Sequence, residues 1–186
     1  MVIYVNNDTL LIGRNLGNDQ VGFYQTAYKI LFAFQSVNVI NNVLFPRLTV
    51  LFHEDKQESA KKLIKLSFLV SVVVLVTLAL IITWQRDLIM RLIYGKSFVI
   101  SAGVMSLLIW SGVINYFRVF VGNLLIIKHK QKMIFWAVLV GTLVNLTTNY
   151  LFIPKIGFVQ GGWSLIISEL VILGVMMVGL KKSSSN

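Results

Sequence analysis

Cysteine is absent from the 186 residues, proline occurs only twice, and only 13% of the residues are charged. The lack of cysteine excludes disulfide bonds and thiol chemistry from this chain. A soluble domain of this length carries roughly twice that share of charged residues. The scarcity of charge therefore argues against a soluble domain, and the mean hydropathy of +0.79 agrees.

Sequence motifs typical of enzyme active sites are missing as well. The two histidines, His53 and His129, lie in basic segments without a partner at metal-ligand spacing. The stretch GRNLGND lacks the lysine and serine of a phosphate-binding loop, and no serine elbow or zinc motif occurs. The sequence therefore favours a protein that is not an enzyme, and it indicates neither a cofactor nor a metal ion.

Long apolar runs dominate the sequence instead. Uncharged runs cover residues 66–84, 97–117 and 133–154, and a fourth run follows Glu169. About 20 helical residues cross the hydrocarbon core of a bilayer. The strands of a membrane β-barrel would alternate apolar and polar residues, and these runs do not. The sequence predicts an all-α membrane protein, a six-helix transmembrane bundle whose first helix is short.

The six predicted segments form one domain over residues 1–182, with 183–186 as a disordered tail. Their approximate ranges are 1–13, 21–48, 63–84, 98–127, 133–153 and 158–180. A short interfacial helix is expected before Gly95, between the third and fourth segments. Pro46 and Pro154 are expected at segment ends, where a missing amide donor costs little. Gly157, Gly161 and Gly162 after Pro154 predict a tight outer hairpin.

The net charge of +10 is concentrated in the predicted loops, which favours a lipid surface over nucleic acid as a partner. Loops rich in lysine and arginine remain on the cytoplasmic side. Ten such residues fall on one side, against five on the other. Both termini are therefore expected in the cytoplasm. The ten are Arg47, Lys56, Lys61, Lys62, Lys65, Lys128, Lys130, Lys132, Lys181 and Lys182.

Charged residues inside apolar segments need a structural reason, because each costs on the order of 3 kcal/mol at the bilayer centre. Arg118 shares one helix face with Asn115, and Asn145 and Asn149 lie on one face of the next segment. Such stripes are either packing seams between helices or the lining of a polar cavity. For Arg118 and Glu169 we favour the cavity, although the two residues are also candidates to pair with each other. The four charged residues are Asp8, Lys29, Arg118 and Glu169.

Several stretches resemble one family of membrane transporters. DTLLIGRNLGNDQVGFYQTAYKI (residues 8–30) is similar to the helix-loop-helix opening of polysaccharide flippases of the Wzx type. FPRLTVLF, YGKSF and NLTTNYLFIPKIGFVQGGWSLIISE resemble later parts of the same family, in the same order. The resemblance covers nearly the whole chain.

This resemblance implies the multidrug/oligosaccharidyl-lipid/polysaccharide exporter fold, in which two six-helix lobes surround a central cavity. The chain is similar to one lobe, the carboxyl-terminal half, so its implied partners include an amino-terminal lobe or a second copy. The implied cargo is undecaprenyl-diphosphate-linked oligosaccharide for O-antigen or lipopolysaccharide synthesis at the bacterial inner membrane.

Site residues follow from that implied cargo. Arg118 and Lys29 are expected to attract the diphosphate, and Asn115, Asn145 and Asn149 to contact sugar hydroxyls. Glu169 and Asp8 are expected in ion coupling or ion pairing.

Three alternatives to the flippase remain open. A drug or cation antiporter of the same fold would have a similar sequence pattern. A membrane enzyme of the same pathway would be expected to have a large outer loop, whereas the predicted outer loops here are short. A non-functional fragment is the third alternative.

Overall fold

The computed structural model describes residues 2–182, with the backbone alone for residues 2–6 and 182. The predicted tail at 183–186 lies outside the described residues. All secondary structure between residues 2 and 182 is helical, as predicted. The α-helices are α1 (Val2–Leu16), α2 (Asn18–Gln35), α3 (Val39–His53), α4 (Gln57–Trp84), α5 (Arg86–Tyr94), α6 (Ala102–Ile127), α7 (Gln131–Ile156) and α8 (Val159–Lys182), with 3-10 segments at Ser36–Asn38 and Lys96–Ser101.

Four of these helical stretches are long and apolar enough to cross a membrane. They are Gln57–Trp84, Lys96–Ile127, Gln131–Ile156 and Val159–Lys181. α1 has only 15 residues, or about 22 Å of helix, which is shorter than the hydrocarbon core of about 30 Å. The structure therefore shows four candidate membrane-crossing helices within the described residues, and it does not confirm the six that the sequence predicted.

The predicted segment 21–48 is divided in two by the 3-10 turn at Ser36–Asn38. The helix after this turn, α3, continues through Pro46 to His53, so the expectation that Pro46 ends a helix is wrong. Proline removes one backbone hydrogen bond, a loss that membrane helices tolerate when other groups satisfy the freed backbone. Pro154 lies in the last turn of α7.

Glycines with positive φ directly follow three of the described helices. They are Gly17 after α1, where φ is 91°, Gly95 after α5, where φ is 93°, and Gly157 after α7, where φ is 87°. Only glycine adopts these conformations without strain. α5 is the short helix that the sequence predicted before Gly95, and the chain then enters α6 through the 3-10 turn.

The core of the bundle forms around α6, most of whose residues are buried. α6 packs against α2, α4 and most extensively α8, and α7 packs against α8. Gly141 on α7 faces the Ile172 side chain and the Ser168 carbonyl on α8, so this glycine permits close helix packing. α4 in contrast exposes most of its apolar residues, including Trp84 at its end. Its exposed surface is suited to contact lipid.

Candidate functional site: a polar cavity between α2, α6 and α8

A cavity of about 280 Å³ lies between α2, α6 and α8. Much of its wall is apolar, from residues such as Leu31, Leu165 and Ile172. Its polar groups are contributed by all three helices. They are Tyr28 and Gln35 from α2, Ser111, Asn115 and Arg118 from α6, and Glu169 from α8.

An ion pair lies in the wall of this cavity. The Arg118 Nε atom donates to Glu169 Oε2 at 2.5 Å, and the two side chains are only 15% and 11% exposed. Asn115 Nδ2 donates to the other carboxylate oxygen, Oε1, at 3.0 Å. Asn115 and Arg118 share a face of α6 because they are three residues apart. Together they provide a hydrogen-bond donor for each oxygen of Glu169.

One polar atom beside this ion pair has no partner. Asn115 Oδ1 is buried and accepts no hydrogen bond from any described residue. A buried acceptor without a donor costs about 1–3 kcal/mol. A ligand hydroxyl or amide that reached this atom would remove that cost, so Asn115 is equipped to bind a hydrogen-bond donor.

A second polar cluster ties together α1, α2, α7 and α8. Asp8 is fully buried. Its Oδ2 accepts a hydrogen bond from the Tyr24 hydroxyl at 2.9 Å, and its Oδ1 accepts one from Asn149 Nδ2. The Ser164 hydroxyl donates to Asn149 Oδ1, and Asn149 Nδ2 is 3.3 Å from Asn145 Oδ1. Asn145 Nδ2 is buried, and no described residue accepts a hydrogen bond from it.

The structure therefore separates the predicted site residues into three groups. Arg118, Asn115 and Glu169 meet at the cavity, and the pairing that the sequence left open is present. Asp8, Asn145 and Asn149 belong to the second cluster and are not among the residues that line the cavity. The exposed Lys29 does not line it either.

Asp8 has no cation as a partner among the described side chains. Its two hydrogen-bond donors, Tyr24 and Asn149, are neutral groups. The ion-pair alternative for Asp8 is thus not met. Sequence reasoning did not assign Tyr24 or Ser164 to a site, although Tyr24 lies in the quoted stretch VGFYQTAYK. A hydroxyl among apolar residues has no distinctive spacing, so only the helix packing identifies its partner.

The chain is thus a membrane protein with several apolar helices around buried polar groups. Residues 1–103 match the family described as polysaccharide biosynthesis protein. This match spans more than half of the 186 residues, and the chain belongs to that family. No curated protein and no solved structure matches the chain. The matched region contains Asp8 and Tyr24 but ends before Asn115, Arg118 and Glu169.

Proposed function

We propose that the protein is a flippase of the Wzx type, which moves undecaprenyl-diphosphate-linked oligosaccharide across the bacterial inner membrane for polysaccharide or O-antigen synthesis. The observation that carries the proposal is the Arg118–Glu169 pair, with Asn115, in the wall of a cavity inside a membrane bundle. Membership of a polysaccharide biosynthesis family supports the class of cargo.

Arg118 has the chemistry to bind the diphosphate of this cargo. A guanidinium forms charge-assisted and often bidentate hydrogen bonds with phosphate. In the described conformation the Arg118 guanidinium donates to the Glu169 carboxylate, so a phosphate must compete with this carboxylate for Arg118. A coupling ion, either a proton or a sodium ion, that neutralised Glu169 would free Arg118 for the cargo. Glu169 then acts as a switch that links ion binding to cargo binding.

Asn115 has a second role in this mechanism. Its amide nitrogen holds Glu169 at 3.0 Å, while its unpaired Oδ1 accepts a hydrogen bond from a sugar hydroxyl. We assign Asp8, Asn145 and Asn149 to holding α1, α2, α7 and α8 together, because they donate and accept among themselves and their neighbours. The cavity opens to one leaflet or the other when this lobe rocks against a second lobe.

The test replaces Arg118 in the complete transporter of a cell that makes the polysaccharide. Arg118→Ala is expected to abolish surface polysaccharide even when expression is raised until the amount of variant protein in the membrane equals that of the wild type. Arg118→Lys, which keeps the charge but loses the bidentate geometry, is expected to retain part of the activity. The exposed Arg91 of α5 provides the matched control, since Arg91→Ala also removes one arginine. Normal surface polysaccharide in the Arg118→Ala strain would contradict the proposal.

A drug or cation antiporter is the second candidate. The apolar wall formed by Leu31, Leu165 and Ile172 beside a carboxylate would also suit an organic cation. The guanidinium of Arg118 lies against that carboxylate, however, and repels a cation. Binding assays with the purified protein separate the candidates. An antiporter would bind an organic cation more tightly in Arg118→Ala, whereas the flippase would lose binding of the lipid-linked oligosaccharide.

A further inference from the structure

A basic hollow lies at the end of the bundle where α3 and α6 end and where α4 and α7 begin. It consists of two cavities of about 420 Å³ and 520 Å³, whose linings share Phe52 and Lys128. His53 and His129 both line the first cavity. The two histidines that stand isolated in the sequence therefore face the same space. Neither cavity shares a lining residue with the Arg118 site.

The helix ends bring Lys128 and the two histidines together. His53 is the last residue of α3, and Lys128 caps the end of α6. The next residue, His129, has a positive φ of 55°, which reverses the chain. The turn is closed by a hydrogen bond from the Lys130 amide to the Leu125 carbonyl at 2.8 Å. The backbone thus fixes Lys128 and His129 beside the end of α3.

Lys61 and Lys128 both line the second cavity, and the acidic residues nearby compensate Lys61 but not Lys128. Glu54 pairs with Lys56, and Glu58 pairs with Lys61, each at 2.8 Å. Asp55 accepts a hydrogen bond from Gln57 at 3.1 Å. None of the three acids lines either cavity of the hollow. Among the described residues, no ion pair involves Lys128, His53 or His129.

The walls of the hollow are apolar below its cations. Phe45, Ile126 and Ile127 line the first cavity, and Ile64, Leu124 and Leu180 line the second. The hollow is located at the ends of four helices long enough to cross a membrane, α4, α6, α7 and α8, where lipid headgroups meet protein. A soluble anion would use the cations alone, whereas an amphipathic lipid would use both the cations and the apolar walls.

We propose that the basic hollow binds an anionic phospholipid of the surrounding leaflet, with the headgroup phosphate at Lys128 and the histidines and an acyl chain against the apolar walls. Lysine attracts anionic headgroups at membrane surfaces, and its apolar stem packs along the wall. This lipid site is separate from the cargo site around Arg118. The proposal does not depend on which cargo the protein carries.

The experiment titrates the purified full chain in detergent with phosphatidylglycerol or phosphatidylcholine and counts bound lipids by native mass spectrometry. We expect the wild-type protein to retain one phosphatidylglycerol at concentrations where phosphatidylcholine is lost. The variant Lys128→Gln/His129→Gln is expected to bind phosphatidylglycerol at least about fivefold more weakly, the factor that corresponds to one lysine–headgroup contact.

The matched control is Lys62→Gln/Lys65→Gln. Both residues are exposed and lie in α4, a helix that borders the hollow, but neither of them lines it. We expect this control to bind phosphatidylglycerol like the wild type. Equal weakening in both double variants would overturn the proposal, because it would indicate general surface attraction. Unchanged binding in Lys128→Gln/His129→Gln would overturn it too.

Two further measurements test whether binding depends on charge and whether the ligand is a lipid. Lys128→Arg keeps the positive charge and is expected to keep phosphatidylglycerol binding. Loss of phosphatidylglycerol binding in this variant would contradict a site that depends on charge. Added inorganic phosphate is expected not to displace the lipid. Displacement at equal concentrations would overturn the lipid assignment in favour of a free-phosphate site. Circular dichroism of each variant verifies that it is folded.

Discussion

The Arg118–Glu169 ion pair makes a quantitative prediction about stability. Arg118→Met leaves the Glu169 carboxylate with only the Asn115 donor, and Glu169→Gln leaves Arg118 without its counter-charge. An uncompensated charge near the bilayer centre costs on the order of 3 kcal/mol, so each single variant should lose about that much. The double variant removes both charges. Its loss should therefore be smaller than the sum by about 2–3 kcal/mol.

The coupling energy is measured by a double-mutant cycle. The wild type, the two single variants and the double variant are reconstituted in bicelles and unfolded with sodium dodecyl sulfate, and the helix content is followed by circular dichroism. A coupling of 2–3 kcal/mol corresponds to roughly a 30- to 150-fold difference in the unfolding equilibrium constant. The exposed pair Lys61–Glu58, with an N–O distance of 2.8 Å, is the control and should show far weaker coupling.

Additive losses would refute this reasoning. A coupling near 0.6 kcal/mol, the average of hydrogen bonds measured inside a membrane protein, would also count against it. Such a value would indicate that water screens both charges when the protein is folded. The pair would then be a surface-like contact, and Glu169 would no longer control access to Arg118.

Three further substitutions test the packing of the bundle, each by its change in the free energy of unfolding. Gly161→Ala would place a Cβ atom 2.6 Å from the Tyr24 ring and should cost about 1–3 kcal/mol. The control Gly174→Ala, on the same helix, meets no atom within 4 Å and should not destabilise the protein. Equal effects of the two substitutions would contradict the close contact at Gly161. Tyr24→Phe removes a donor to a buried carboxylate and should cost about 1.5–3 kcal/mol; no loss would show that the hydroxyl is not bonded there. Ser71→Ala breaks the 2.8 Å hydrogen bond to the Tyr116 hydroxyl and should cost about 1 kcal/mol. An unchanged stability would show that this hydrogen bond does not join α4 to α6.

Hydrophobic patterning and glycine chemistry predicted much of the helical order. The uncharged run over 66–84 identified α4, and Gly95 identified the end of α5. The start of α4 was less visible. The helix begins at Gln57, because polar residues continue a helix beyond its apolar run without leaving a hydropathy signal. The break at Ser36–Asn38 was missed because no charged residue interrupts the sequence there, while the backbone tightens.

The candidate site depended on packing that a sequence does not specify. Arg118 and Glu169 are on different helices, α6 and α8, and their rotation about each axis decides whether they meet. The stripe containing Asn115 and Arg118 was visible from helical spacing alone. Asn149 formed an equally clear pattern on α7, yet its side chain contacts Asp8 and not the cavity. Helical spacing identifies a polar face but not the neighbour that it contacts.

The hydrogen bond between Asp8 and Asn149 has a consequence for how the protein is made. Its two residues are 141 positions apart, which at about 5–20 residues per second means a delay of roughly 7–28 s on the ribosome. During translation, Tyr24 reaches Asp8 much earlier, because it follows only 16 positions later. Until α7 is synthesised, Tyr24 is thus the one of these two donors that can shield the carboxylate. Nascent chains that lack its hydroxyl should be degraded more often before they are complete.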